Sequence, residues 1–255
     1  MKKIRLRKLT IIISFLLMPI TFIYISPVII ILDSAAGIVS GSLLLFSFLF
    51  LSAMFTGRLF CAWLCPAGGV QECLSSAANQ PVKHSKPLHI IRHGIWITWL
   101  GVIFYVAVSG GGYRSVSPFN HSYMGLSLHT QGGMAYPIYF FVLALIVILT
   151  ITLGRRSACH SFCHMANFMI LGKKLGRLLH LPHVYLESDS TACTSCKQCT
   201  RACPMSLDVH EMVKQRITDD PYCILCGDCT HECPKGSIRL AFGSPDSSAT
   251  RKEPE

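Results

Sequence analysis

Apolar residues along the chain gather into four long runs with short polar breaks, and the pattern stops at Asp189. The runs lie near residues 9–32, 37–56, 91–109 and 135–153. A bilayer core takes on the order of 20 helical residues to cross, so each run is read as a transmembrane helix. The first run follows a basic start of Lys2, Lys3, Arg5, Arg7 and Lys8, and Ala35-Ala36 follows it. A cleaved signal peptide competes there, but the apolar stretch exceeds a signal core, so an uncleaved anchor is expected. From Phe168 to His180 apolar residues recur on a helical period with Lys173, Lys174 and Arg177 between them. That segment suits an interfacial helix on the membrane or a linker helix packed on the next module, though Gly172 and Gly176 weaken it as a helix. The expected organisation is a membrane domain over 1–167, this helix or linker over 168–186, a polar cysteine-rich module over 187–242, and a tail over 243–255 too polar to bury.

Composition sharpens that picture. Of 255 residues, 51% are hydrophobic and 14% charged, too little charge for a soluble surface. Before Glu187 the only acids are Asp33 and Glu72, while fifteen of the twenty-three Lys and Arg lie there. These cations flank apolar runs and build no polar basic face, which argues against nucleic acid as a partner. Arg58, Lys83, Lys86 and Arg92 lie between the second and third runs, and Arg155, Arg156, Lys173, Lys174 and Arg177 follow the fourth. The other two loops carry only Asp33 and Arg114. The positive-inside rule then predicts a multi-pass protein of the cytoplasmic membrane with both termini cytoplasmic.

The chemistry lies in the cysteines. Cys193, Cys196, Cys199 and Cys203 precede Pro204, and Cys223, Cys226, Cys229 and Cys233 precede Pro234. Each set is C-x2-C-x2-C-x3-C-P, the spacing of bacterial two-cluster ferredoxins, in which the fourth cysteine serves the other cluster. One [4Fe-4S] cluster is thus expected on Cys193, Cys196, Cys199 and Cys233, the other on Cys223, Cys226, Cys229 and Cys203. Structural zinc uses paired C-x2-C units, and disulfides need an oxidising compartment, so both fit less well. Gly227, Gly236, Ser195 and Ala202 are small enough for close backbone approach to a cluster.

A second constellation repeats as well. Arg58-x2-Cys61-x3-Cys65 matches Arg156-x2-Cys159-x3-Cys163, each at the end of a pair of apolar runs. The membrane part therefore reads as a duplicated two-helix unit, its cysteines i and i+4 on one helix face. Brought together, four thiolates could hold a third metal or iron-sulfur centre; redox-active thiols and buried structural cysteines are the other readings. Cys73 has no repeat partner and reads as structural.

With Gly57-Arg58, Cys61-Ala-Trp-Leu-Cys65-Pro66, Cys159, Cys163 and the eight ferredoxin cysteines together, the chain resembles the NapH and NosR type of membrane polyferredoxins. The resemblance implies quinol oxidation, or electron relay between the quinone pool and a respiratory reductase, with partner subunits. It covers most of the chain. His164 stands where the family often has proline, and this chain has no room for the outer flavin domain of NosR-like relatives.

No apolar run has a histidine near its middle, so haem is not expected. Arg114, His121, Tyr123 and His129 could serve a quinone but read first as loop residues; His160 and His164 read first as interfacial packing, and Trp96 and Trp99 as anchors of the third helix. The expected fold is an α-helical membrane protein, a four-helix transmembrane bundle with a C-terminal α+β two-cluster ferredoxin-like domain. The expected function is electron transfer, as part of a quinol dehydrogenase or related oxidoreductase. An assembly factor or metal-ion reductase is the alternative, with His121, Met124, His129 and Met134 as its metal-binding side chains.

Overall fold

The computed structural model describes residues 2–82, 86–120, 135–216 and 220–244. The first apolar run is not one helix. It forms α1 (Lys2–Leu16), α2 (Met18–Ile25) and α3 (Pro27–Ala35), and α1 meets α2 at 80°. Proline causes the breaks: Pro19 and Pro27 each sit in the first turn of a new helix, where the missing N–H is tolerated. After β1 (Ile38–Ser40), α4 (Gly41–Thr56) starts at Ser40, whose hydroxyl accepts from the Leu43 amide at 3.3 Å, as an N-cap does.

Two short helices follow, α5 (Leu59–Trp63) and α6 (Pro66–Cys73), then α7 (Lys86–Ser109), β2 (Ser115–Ser117) and α8 (Ala135–Leu153). β1 and β2 pair in parallel, Ile38 opposite Ser115. The chain continues through α9 (Ser157–Ser161) into α10 (His164–Leu178). The segment expected to begin at residue 168 is thus the greater part of a helix that starts earlier, and it packs along α4. Its two glycines explain the fit: a Cβ on Gly172 would come within 2.4 Å of the Phe50 carbonyl oxygen, and one on Gly176 within 2.4 Å of that of Met54. The glycines weaken helix propensity but permit the two backbones to approach closely.

Among the described residues, Ile90–Ser109 is the single unbroken helix long and apolar enough to cross a membrane, and α1 with α2 qualifies only as a bent pair. Gly41–Thr56 and Pro137–Leu153 are shorter apolar helices. Large apolar side chains point outward from several of these: Leu51, Ile97, Phe104, Tyr105, Phe140, Phe141 and Ile148 are exposed.

The polar module is a two-stranded antiparallel sheet of β3 (His183–Ser188) and β4 (Ile238–Gly243), with α11 (Gln198–Ala202), α12 (Val209–Lys214) and α13 (Asp228–His231) between them. One continuous core joins it to the rest. Phe46, Leu49 and Ala53 of α4 and Met165 and Met169 of α10 share that core with Leu186, Met205, Val213, Ile224, Leu225 and Ile238. Trp96 and Trp99 of α7 pack edge-on against Phe168 at 5.5 and 5.8 Å, and the Trp99 indole N–H donates to the Pro27 carbonyl at 3.0 Å. These tryptophans pack inward and tie α7 to its neighbours.

Candidate metal centres

The ferredoxin loops are built twice over. Ser195 and Lys197 take left-handed backbone angles between the first cysteines, and Leu225 and Gly227 do so at the matching places of the second loop. Left-handed residues alternating with ordinary ones turn successive amides toward a common point, an arrangement that receives anions. Gly236 is left-handed too. Ala202 instead ends α11 and delivers Cys203 in extended conformation.

Each loop then closes on its partner. Cys223, Cys226 and Cys229 line one cavity together with Cys203 from the other motif. Around them stand Leu186, Met205, Leu207, Val209, Met212, Ile224 and Leu225, so this cavity is apolar and enclosed. Cys193, Cys196, Cys199 and Cys233 line the other, with Lys197, His210 and Ser237. It lies nearer the surface, since Cys196 is exposed. No three His, Cys, Asp or Glu among the described residues converge on a single point fit for one ion. Thiols ringing a cavity match a cluster of several irons better than a lone zinc, whose four ligands close on one atom.

The twin C-x3-C motifs also have matching backbones, with one departure from the expected helix. A left-handed glycine, Gly57 or Gly154, ends the preceding apolar helix, and a five-residue helix carries Cys61 or Cys159 at its middle. Leu64 and Phe162 stop those helices, and Cys65 and Cys163 are extended N-caps of the helices that follow. The cysteines of each pair therefore do not share the face of one continuous helix. His164 holds the place of Pro66 without changing this: Cys163 keeps φ −66° and ψ 110° beside −76° and 115° at Cys65.

The two pairs meet. Cys65 lies within electrostatic reach of Cys61, Cys159 and Cys163, and Cys61, Cys65 and Cys159 are buried. The Cys61 thiol touches the Met169 sulfur at 3.5 Å, and the Gln71 amide donates to the Cys159 sulfur at 3.4 Å. Burial, with Cys159 and Cys61 adding to it, pushes the Cys163 thiol up to about 12. Burial likewise raises Cys61 and Cys65. Cys73 is exposed at the end of α6, so no packing role holds it there.

Sequence reasoning placed the cations on the flanks of the apolar runs. Arg7, Arg58, Arg92 and Arg156 are instead at most 2% exposed. Arg7 donates to Glu72 at 2.8 Å and Asp228 at 2.9 Å, and Arg156 donates to Glu72 at 2.9 Å and to the Cys61 carbonyl at 2.8 Å. This network joins α1, α6, α9 and α13 between the two sets of cysteines. A hint was in the sequence, for Glu72 is one of two acids before Glu187, and an isolated acid among cations is a natural partner for them.

Comparison with known families fits this geometry. Residues 192–238 match the 4Fe-4S dicluster domain, and residues 41–83, which include Cys61 and Cys65, match a 4Fe-4S binding domain. This is an iron-sulfur protein. Two [4Fe-4S] clusters are its cofactors. Two relatives from Methanocaldococcus jannaschii, both called uncharacterized proteins, are similar to it. MJ0749 is 25% identical over 64% of this chain and 58% of its own length, and MJ0750 is 24% identical over 63% and 64%. The matched region thus spans about three-fifths of those relatives. No solved structure matches.

Proposed function

We propose that this protein is a membrane-embedded electron relay between the quinone pool or a membrane redox partner and a protein partner at the cytoplasmic face. Cys193, Cys196, Cys199 and Cys233 hold one [4Fe-4S] cluster, and Cys223, Cys226, Cys229 and Cys203 the other. Cys61, Cys65, Cys159 and Cys163 hold a third centre. When bound, such clusters accept and release single electrons at potentials that the surrounding protein sets. The protein supplies the rest: enclosed thiol sets, a low-dielectric core between them, and one exposed end at Cys196.

The observation that carries this reading is the gathering of two unrelated cysteine sets into one rigid core. A ferredoxin tethered by a loose linker would have no reason to bury its Leu225 against Gly57, where a Cβ would lie 3.0 Å from the leucine methyl. The outward apolar faces of α4, α7 and α8 support a bilayer around the four runs, since a soluble protein rarely exposes so much contiguous apolar surface. Both termini are then cytoplasmic. Several cations used in that orientation argument are buried, so it rests on Arg5, Lys8, Arg155, Lys174 and Arg177.

The outer-loop residues proposed for a quinone, His121, Tyr123 and His129, and for metal ions, Met124 and Met134, lie outside the described residues. Arg114 is described, and its guanidinium donates to the Gly110 carbonyl at 3.0 Å, shaping its own turn. Among the described residues no observation favours the metal-reducing alternative. The test is reduction of the reconstituted protein in liposomes by a quinol analogue under anaerobic conditions. Bleaching of the visible iron-sulfur absorption by quinol supports the relay; bleaching by dithionite alone, with oxidation by added Cu(II), would favour the metal reductase.

A further inference from the structure

The four buried guanidiniums at the junction are not alike. Arg7 and Arg156 are matched by Glu72 and Asp228. Arg58 and Arg92 form no ion pair with a described carboxylate. Arg58, fully buried, donates from Nη1 to the Tyr222 carbonyl at 3.1 Å, while its Nε and Nη2 have no oxygen or nitrogen partner. Arg92, 1% exposed, lies 5.2 Å from the centre of the Tyr222 ring, and the neutral Tyr222 phenol is the first of its polar neighbours. A buried cation without an anion is costly, and two near each other more so. An anionic group close by would offset that cost.

Both arginines contact Tyr222, the residue before Cys223, and cysteine sulfurs lie on the loops around them. The Arg58 carbonyl accepts from the Cys61 amide at 3.0 Å while its guanidinium holds the Tyr222 carbonyl next to Cys223, so Arg58 bridges the two cysteine loops; Arg92 lies over the same Tyr222 ring, with Cys163 among its electrostatic neighbours. Four protonated thiols carry no charge and would leave both arginines unmatched. Four thiolates on an iron-sulfur core leave a net negative charge, which grows by one unit on reduction. The arrangement matches a reducible anionic centre.

We propose that Arg58 and Arg92 are the built-in counter-charges of the centre on Cys61, Cys65, Cys159 and Cys163, and that Arg58 also couples it electrostatically to the cluster on Cys203, Cys223, Cys226 and Cys229. This rests on the third centre proposed above. A fixed positive charge favours the more negative, reduced state, so both arginines raise the midpoint potential of the membrane centre. Arg58 faces both cysteine sets and raises two midpoints; Arg92 raises chiefly one. The order of centres follows: membrane quartet, enclosed ferredoxin cluster, then the surface cluster with Cys196.

The experiment is an anaerobic EPR-monitored redox titration, with iron counting, of the full-length wild type and of Arg58→Gln, Arg58→Lys and Arg92→Gln. Arg239→Gln, which breaks an exposed ion pair with Glu187, serves as the control. We expect Arg58→Gln to move two midpoints to more negative values, Arg58→Lys to stay near wild type, Arg92→Gln to move only the membrane centre, and the control to move none. Loss of the membrane centre's iron from Arg58→Gln but not from Arg58→Lys also supports the charge role. Unchanged midpoints in both glutamine variants at full iron content overturn the proposal, as does equal iron loss from the glutamine and lysine variants. A wild type with two reduction steps and the iron of two clusters instead sinks the third centre itself.

Discussion

Arg7 on the first helix donates to Asp228 on α13 at 2.9 Å, and this contact ties the N-terminus of the chain to the helix that carries Cys229. Arg7 is fully buried and shares Glu72 with Arg156. Removing one partner leaves a buried charge uncompensated, at about 3–5 kcal/mol for such pairs. Arg7→Met is therefore expected to loosen the ferredoxin module from the helices. Hydrogen exchange should show α13 and α6 losing protection together, while β3 and β4 keep theirs.

The same network sets a pH dependence. Burial alone would raise the Glu72 carboxyl, but Arg156 and Arg7 outweigh it and hold the group down to about 2 from an ordinary 4.5. Its folded value is depressed, so its contribution to stability is complete above pH 4.5 and fades as pH falls toward 2. Limited proteolysis between pH 6 and pH 3 measures the docking. Wild type should become more susceptible over that range, and Glu72→Gln, weaker at pH 6, should change less. Acid loss of clusters affects both proteins alike and cancels in the comparison.

The close approach of α10 to α4 is equally open to test. A methyl on Gly176 would sit 2.4 Å from the Met54 carbonyl oxygen, which belongs to backbone and cannot swing away. Gly176→Ala is expected to cost about 1–3 kcal/mol through overpacking, despite alanine's better helix propensity. Thermal unfolding in detergent would check it, and an unchanged or higher midpoint would contradict the packing described.

The crossed ligand sets predict which variants share a phenotype. Cys203→Ser and Cys226→Ser should diminish the same EPR signal, although their residues come from different motifs. Cys233→Ser and Cys196→Ser should diminish the other. His210 lines the second cavity with its Nε2 unpartnered, where an N–H facing sulfur favours the reduced state. His210→Leu is then expected to lower that cluster's midpoint alone.

Much of this was legible in the sequence, for a reason of scale. Three cysteines of each ferredoxin set sit three residues apart, so most of the ligand geometry is local and spacing reports it, while the crossed fourth cysteine was legible only from the repeated motif. The apolar runs were legible as runs, but the first was read as one helix, whereas Pro19 and Pro27 begin new ones within it. The twin C-x3-C pairs were visible as a repeat, yet the i, i+4 spacing suggested one helix where Leu64 and Phe162 end it. Least legible were the arginines. A cation beside an apolar run looks like a solvated flank, and only the fold shows that Arg58 and Arg92 turn inward, because the residues that enclose them come from across the chain. Gly172 and Gly176 misled in the same way: propensity is a local property, and the close contact that uses them is with α4.

The most direct test of the account is anaerobic counting of iron and acid-labile sulfide in the wild type and in the Cys61→Ser, Cys159→Ser double variant. With three cubane centres the wild type should hold about twelve of each and the variant about eight. A wild type that holds only about eight, with a variant equal to it, would contradict the membrane centre and leave the two ferredoxin clusters without a route of their own into the bilayer.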